Sequence, residues 1–135
     1  MRNRILLLTH GGWGAALLAG VRMIVGAVDY VDELALTPQM TLQEYKDMVA
    51  DYFTAHDPAS CVIMVDLFGG TPGNVAAAFS KDKDIDVICG LNAPLLIDAC
   101  MQVQIGQGIE VSLLMENTAG SIFDLKEKMG LKGGK

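Results

Sequence analysis

Near its amino terminus the chain reads Ile5-Leu6-Leu7-Leu8-Thr9-His10-Gly11-Gly12-Trp13. The apolar run is typical of a strand buried on both faces, and the glycine pair after it predicts a turn. From Trp13 to Val25 apolar residues recur at helical spacing, which predicts a helix. A buried strand that turns directly into a helix indicates a βαβ unit, the building block of parallel sheets.

The alternation of strand and helix patterns continues to the end of the chain. The further predicted elements are strands over residues 30–36, 61–66 and 87–89, helices that begin near Thr41, Thr71 and Pro94, and a last helix over residues 110–129. We therefore predict an α/β fold: a small, doubly wound, mainly parallel four-stranded sheet of strand order 2-1-3-4, with helices on both faces.

Local signals place several of these helix ends. Thr41 with Glu44 three residues later forms a capping-box pattern, and Asp57-Pro58 predicts that this helix ends before it. Thr71-Pro72 places a proline in the first turn of the next helix. The last helix is predicted to continue through Gly120, because the apolar spacing continues on both sides of it.

Length and composition indicate one folded domain. At 135 residues, with 51% hydrophobic and 19% charged residues, the chain suits a single compact core rather than disorder. We predict a domain over residues 1–130 and a flexible tail over residues 131–135, which read Leu-Lys-Gly-Gly-Lys.

Charge and cysteine content argue against several classes of partner and cofactor. A formal net charge of −6 without any basic run disfavours nucleic acid. The three cysteines lack metal-ligand spacing and indicate reduced thiols in a cytoplasmic protein, so we expect no metal and no cofactor. The apolar residues 15–28 are interrupted by Arg22 and are too short to span a membrane, so any membrane association is expected to come through a partner.

Two ionisable residues stand at the ends of the first and third predicted strands. In open parallel sheets, sites form beyond the carboxyl ends of the strands, at the point where the strand order reverses. Neighbouring strands lie about 4.8 Å apart, so His10 and Asp66 are predicted to lie close together. A carboxylate that binds one imidazole nitrogen makes the other more basic, so Asp66 is predicted to orient His10 and His10 to act as a nucleophile.

Glycines follow both of these residues and predict a phosphate site. Backbone amides at Gly11, Gly12, Gly69 and Gly70, together with two helix N-termini, suit a phosphoryl group, and the Thr71 hydroxyl is expected to donate one more hydrogen bond. A histidine at a strand end is more often a surface or capping residue, and paired glycines are more often a simple turn. The conjunction of both features at two adjoining strand ends favours function.

Two large apolar residues, Trp13 and Phe68, lie beside the same loops. They are predicted either to form a docking face for a protein partner or to pack in the core. His56 lies between the second predicted helix and Asp57-Pro58 and has no carboxylate or glycine cluster of its own. We expect it at a solvent-exposed helix end and assign it no role.

A resemblance to a known protein family rests on three stretches of the sequence. They are Thr9-His10-Gly11, residues 65–74 (Val-Asp-Leu-Phe-Gly-Gly-Thr-Pro-Gly-Asn) and Gly90-Leu91-Asn92-Ala93-Pro94. The chain resembles, over nearly its whole length, the IIA domain of mannose-type sugar phosphotransferase systems. Phe68 stands where some members have tryptophan, and Gly73 stands where a larger residue is common.

The resemblance implies a cytoplasmic homodimer that takes a phosphoryl group from HPr and gives it to a separate IIB component. IIB in turn phosphorylates a sugar that enters through the membrane components IIC and IID, which choose the sugar. His10 matches the phosphorylated residue, Asp66 the orienting carboxylate, and Thr71 a residue near the phosphate. Exchange of a C-terminal strand between subunits occurs in some members and is left open here.

Three other functions remain as alternatives. A phosphoaspartate receiver would place its acceptor at Asp66, but Thr9-His10 supplies no acidic metal ligand. A nucleotide-binding module is suggested by Gly12-Trp13-Gly14, although Leu17 occupies the place of the third glycine. The phosphohistidine subunit of a dihydroxyacetone kinase shares the fold, but its characteristic loop differs from residues 69–74.

Overall fold

The computed structural model describes residues 1–132 and contains one parallel sheet. Its strands are β1 (Arg4–His10), β2 (Val31–Leu36), β3 (Cys61–Val65) and β4 (Asp86–Cys89), in the order β2-β1-β3-β4. All three strand pairs are parallel, and His10 is paired with Leu36 while Leu8 is paired with Val65. The predicted strand order is thereby confirmed. The carboxyl ends of β1 and β3, the two central strands, lie side by side.

Helices cover both faces of the sheet, as predicted. They are α1 (Trp13–Val25), α2 (Leu42–Ala55), α3 (Thr71–Ser80), α4 (Ala93–Gln104), α5 (Val111–Thr118) and α6 (Leu125–Lys128), and a short 3₁₀ helix over Pro58–Ser60 precedes β3. Helices α1, α4 and α5 pack on one face and α2 and α3 on the other.

Two apolar cores, one on each face, hold the helices to the sheet. Alternate residues of β1 point to opposite faces, so Ile5 and Leu7 belong to one core and Leu6 and Leu8 to the other. All four side chains are fully buried. Complete burial of such a side chain contributes roughly 1.5–3 kcal/mol, which explains why β1 occupies a central position.

The local helix signals act as predicted. The Thr41 hydroxyl accepts a hydrogen bond from the Glu44 N–H at 3.1 Å, and the Glu44 carboxylate accepts one from the Thr41 N–H at 2.8 Å. Helix α2 ends at Ala55, before Asp57-Pro58, and Pro72 lies in the first turn of α3. These ends are fixed by contacts within four residues, so the sequence alone reveals them.

The single last helix predicted over residues 110–129 is wrong. The chain forms α5, leaves the helix at Ala119 and Gly120, and starts α6 where Asp124 accepts a hydrogen bond from the Glu127 N–H at 3.1 Å. Glycine in a helix interior costs about 1 kcal/mol, and Ile122, 91% exposed, contributes no burial that would offset this cost. The break therefore follows from weak packing beyond Gly120.

Other expectations concern the ends and the surface of the chain. The predicted tail over residues 131–135 lies outside the described residues from residue 133 onward. Across residues 1–132 no helix is long and apolar enough to cross a membrane. His56 stacks on the ring of Tyr52 with a centroid distance of 4.1 Å, at the end of α2.

Candidate functional site

The site is built around a hydrogen-bonded pair at the carboxyl ends of β1 and β3. His10 is the last residue of β1, and Asp66 directly follows β3. The Nδ1 atom of His10 lies 2.8 Å from Oδ2 of Asp66, and the backbone N–H of His10 donates to the same oxygen at 2.8 Å. The other oxygen, Oδ1, accepts from the Leu67 N–H at 2.9 Å. Both carboxylate oxygens are therefore engaged.

The carboxylate is buried and the imidazole is accessible. The Asp66 side chain is 1% exposed, whereas that of His10 is 39% exposed. Burial raises the pKa of Asp66, but hydrogen bonds from the His10 side chain and backbone outweigh it, so the pKa lies below its usual value. Because an ionised carboxylate only accepts, Nδ1 of His10 carries the proton, and in the neutral imidazole this leaves the lone pair of Nε2 free.

Gly70 lies directly against the imidazole ring. A Cβ atom on Gly70 would lie 2.7 Å from Cε1 of His10 and 3.1 Å from Nε2. The neighbouring Gly69 has a φ of 85°, a conformation that other residues rarely adopt. These two glycines bring the backbone after Asp66 next to the free ring nitrogen.

Gly11 and Gly12 differ in whether they leave backbone N–H groups free beside His10. The Gly11 N–H donates to the Leu36 carbonyl at 2.8 Å, so this amide is engaged and is not free to bind phosphate, contrary to the expectation from the sequence. The φ of Gly11, 60°, allows the chain to turn here. Gly12 caps α1 without any side-chain hydrogen bond, and the first amide bonded within the helix is that of Ala16. The amides of residues 13–15 thus form an uncapped helix N-terminus beside His10.

Thr71 begins the second helix that starts at this edge of the sheet. It is the first residue of α3, and the Asn74 N–H donates to the Gly70 carbonyl at 2.9 Å. Among residues 1–132 no hydrogen-bond partner of the Thr71 hydroxyl is found, and none caps α3 by a side chain. The start of α3 therefore presents a hydroxyl and backbone amides near His10.

Trp13 and Phe68 lie on the surface rather than in the core. Phe68 is 94% exposed, Trp13 is 43% exposed and Leu67 is 58% exposed. Leu67 and Phe68 also line a cavity of about 150 Å³ together with Gly73 and Cys89. The segments that follow β1 and β3 thus expose apolar side chains at this edge of the sheet, and a docking role for them stays a prediction.

A cluster behind His10 escaped the sequence analysis. The buried Thr9 hydroxyl donates to Oε2 of Glu33 at 3.0 Å. A Cβ atom on Gly14 would lie only 2.5 Å from that oxygen, so the Glu33 carboxylate rests against the first turn of α1. The available signal was the position of Glu33 two residues after the buried Val31, on a face of β2 where an apolar residue is the norm.

Within residues 1–132 no group of three or more His, Cys, Asp or Glu side chains is placed to hold a metal ion. Cys61 and Cys100 are buried and Cys89 is exposed, and all three are free thiols.

These features define a small doubly wound α/β protein with a carboxylate-oriented histidine where its strand order reverses. Residues 4–116 match the family model described as PTS system fructose IIA component. The chain belongs to this family, the mannose-type IIA components of sugar phosphotransferase systems. Members of the family act in phosphoryl transfer.

Individual relatives and solved structures agree with this assignment. The chain is 32% identical over 127 residues to the sorbose-specific EIIA component of Lacticaseibacillus casei, which covers 93% of this chain and 92% of that protein. A IIA protein associated with the fucose utilization operon of Streptococcus pneumoniae superposes with a TM-score of 0.80 at 26% identity and covers 96% of this chain and 97% of that one. EIIA from Streptococcus agalactiae has the same fold, with a TM-score of 0.81 at 24% identity over 92% and 98% of the two chains.

Proposed function

We propose that the chain is a phosphohistidine carrier that accepts a phosphoryl group from HPr on His10 and donates it to a separate IIB component. The observation that carries the proposal is the 2.8 Å contact between His10 Nδ1 and Asp66 Oδ2, which leaves Nε2 free. Because Gly70 carries no side chain, none projects from this position toward Nε2. The transfer would serve sugar uptake through the membrane components IIC and IID.

The chemical step follows from this tautomer. The lone pair of Nε2 attacks phosphorus, the bond from phosphorus to the ring nitrogen of HPr breaks, and that nitrogen keeps the electron pair. The Nδ1 proton of His10 stays in place, and the positive charge that develops on the ring is balanced by Asp66. No cofactor takes part. Transfer to IIB is the same step in reverse, with the IIB residue as the attacking group.

The surroundings of His10 suit the charge of a transferring phosphoryl group. The uncapped N-terminus of α1 and the start of α3 present backbone amides, and the Thr71 hydroxyl supplies a further donor. Of the predicted glycine amides, that of Gly11 is engaged elsewhere, so Gly12, Gly69 and Gly70 are proposed as the flexible backbone of the cradle. Positioning and charge stabilisation are the main needs of phosphoryl transfer.

The partner surfaces of the proposed carrier are apolar. Trp13 and Phe68 flank His10 and are proposed to contact HPr and IIB. We also propose a cytoplasmic homodimer in which residues 1–130 act as one IIA domain. Support for the dimer comes from β4, an edge strand, and from exposed apolar side chains of α6 and the residues beside it, among them Phe123, Leu125 and Met129.

The test is the intact mass of the protein after incubation with enzyme I, HPr and phosphoenolpyruvate. We expect one added phosphate that survives alkali and is lost in acid, as phosphohistidine does. The His10→Ala variant should gain none, whereas His56→Ala, which changes the other histidine, should gain the same phosphate as the native chain. A phosphate that persists in His10→Ala, or none at all with active HPr, overturns the proposal.

A further inference from the structure

Glu33 places a negative charge on the same helix end that the proposed phosphoryl group would use. Its Oε2 accepts the Thr9 hydroxyl at 3.0 Å, and Thr9 directly precedes His10. Because a Cβ atom on Gly14 would lie 2.5 Å from Oε2, the carboxylate touches the first turn of α1. That turn contains no acidic residue and no side-chain cap of its own. Glu33, a residue of β2, thus places a carboxylate beside the N-terminus of α1, whose own first turn contains no acidic residue.

The charge of Glu33 is not neutralised by a basic side chain. In the described part of the chain, no lysine, arginine or histidine forms an ion pair with Glu33, while the neighbouring Asp32 is paired with Arg4 at 2.7 Å. Glu33 is partly buried, which limits the screening of its charge by water and salt. Its charge acts on the hydroxyl of Tyr45, which donates a hydrogen bond to the Leu34 carbonyl of β2. Burial raises the pKa of the Tyr45 hydroxyl, and the charges of Asp66 and Glu33 raise it further.

We infer that Glu33 tunes the phosphoryl-transfer equilibrium of His10 by opposing the negative charge of the phosphorylated state. The inference rests on the proposed function. When phosphorus leaves the HPr nitrogen for Nε2, negative charge arrives at the N-terminus of α1, where the carboxylate already lies. The repulsion raises the free energy of the phosphorylated form more than that of the free form. A carrier that must release its phosphoryl group to IIB benefits from this bias.

The Glu33→Gln variant isolates the charge. A glutamine side chain has the same shape, and its amide oxygen still accepts the Thr9 hydroxyl, so the cluster against Gly14 is retained. Glu33→Asp keeps the charge while shortening the side chain. Asp29→Asn is the matched control, because it removes one exposed negative charge before β2, at the amino edge of the sheet.

The measurement is the equilibrium distribution of phosphate between HPr and this protein, determined by intact mass from equal amounts of phosphorylated HPr and unphosphorylated protein. In Glu33→Gln we expect the equilibrium constant for phosphorylation of His10 to rise about three- to ten-fold, the size of one charge–charge interaction across a partly desolvated site. In Glu33→Asp and Asp29→Asn it should stay within about two-fold of the native value.

The direction in which the equilibrium constant changes distinguishes an electrostatic role of Glu33 from a structural one. Loss of a structural contact would lower the phosphorylated fraction, so a lower or unchanged equilibrium constant in Glu33→Gln overturns the inference. A Glu33→Asp variant that behaves like Glu33→Gln also overturns it, because the charge is then not the cause. If the native chain takes no phosphate on His10, the proposed function fails instead, and that outcome is seen before any variant is compared.

Discussion

The ring of His10 and the backbone of Gly70 are in contact, and a single added carbon at Gly70 would lie 2.7 Å from Cε1. The ring is partly exposed, so it is able to rotate away from such a carbon, but only by losing its hydrogen bond to Asp66. We therefore expect the site to require glycine at position 70, just as it requires His10 and Asp66.

Gly70→Ala is therefore expected to slow phosphorylation of His10 by about 10²-fold or more, because the ring leaves its productive position. The rate is measured by intact mass over time with phosphorylated HPr. Gly120→Ala is the control, because a Cβ atom there meets nothing within 4 Å. Equal rates for both variants would mean that the ring tolerates displacement.

Asp66→Asn is expected to fold but to transfer phosphate about 10²–10⁴-fold more slowly, because the amide neither fixes the tautomer of His10 nor balances the charge on its ring. Stopped reactions with phosphorylated HPr give the rate. Asp51→Asn, which removes an exposed charge from α2, should react at the native rate. A native rate in Asp66→Asn contradicts the orienting role.

The free energy of unfolding is expected to depend on the ionisation of Asp66. The pKa of this carboxyl is lowered in the folded state, so its stabilising contribution is complete above the unfolded pKa of about 4 and is lost as pH falls through the lower folded value. The difference in stability between the native chain and Asp66→Asn should hence shrink as pH falls below about 4. Urea unfolding at a series of pH values measures it; a difference that stays the same as pH falls below about 4 contradicts the lowered pKa of Asp66.

Gly14→Ala is expected to destabilise the fold by about 1–3 kcal/mol, the usual cost of overpacking. Its Cβ atom would lie 2.5 Å from the Glu33 carboxylate and 2.7 Å from the Thr9 hydroxyl. Gly20→Ala, in the same helix with open space around it, should stabilise by roughly 0.5–1 kcal/mol instead. Urea denaturation compares the two variants, and a stable Gly14→Ala protein would show that Thr9 and Glu33 move apart easily.

Phe68→Ala is expected to raise the KM for phosphorylated HPr about ten-fold, because a large apolar side chain that is 94% exposed beside His10 suits a partner contact. The thermal unfolding midpoint should not change. Met23→Ala is the control, because it shortens a side chain on α1 that is also highly exposed, and it should leave KM unaltered. Equal KM values for Phe68→Ala and the native chain would place docking elsewhere.

What the sequence predicts well in this protein is local or follows from strand order. The capping pair Thr41 and Glu44 is separated by three residues, and Pro72 marks a helix start by its own geometry. The approach of His10 and Asp66, 56 residues apart, needed only the correct strand order, because the carboxyl ends of neighbouring parallel strands meet.

What the sequence does not predict depends on packing between distant side chains. The contact between Glu33 and Gly14 forms only when β2 and α1 are placed in three dimensions, and nothing in either segment alone indicates it. The engagement of the Gly11 amide by the Leu36 carbonyl depends on strand register in the same way. The break at Gly120 reflects missing burial, which a pattern of apolar letters does not report.

One carboxylate oxygen, Oδ2 of Asp66, binds both the backbone and the ring of His10. Asp66 thus holds the imidazole in a fixed position relative to the main chain of His10, so the ring does not move over a long distance. If His10 carries the phosphoryl group, each protein that delivers or removes it must come to the same small area of this surface. Donor and acceptor then exclude each other, and the throughput of the system depends on how quickly one protein leaves and the next arrives.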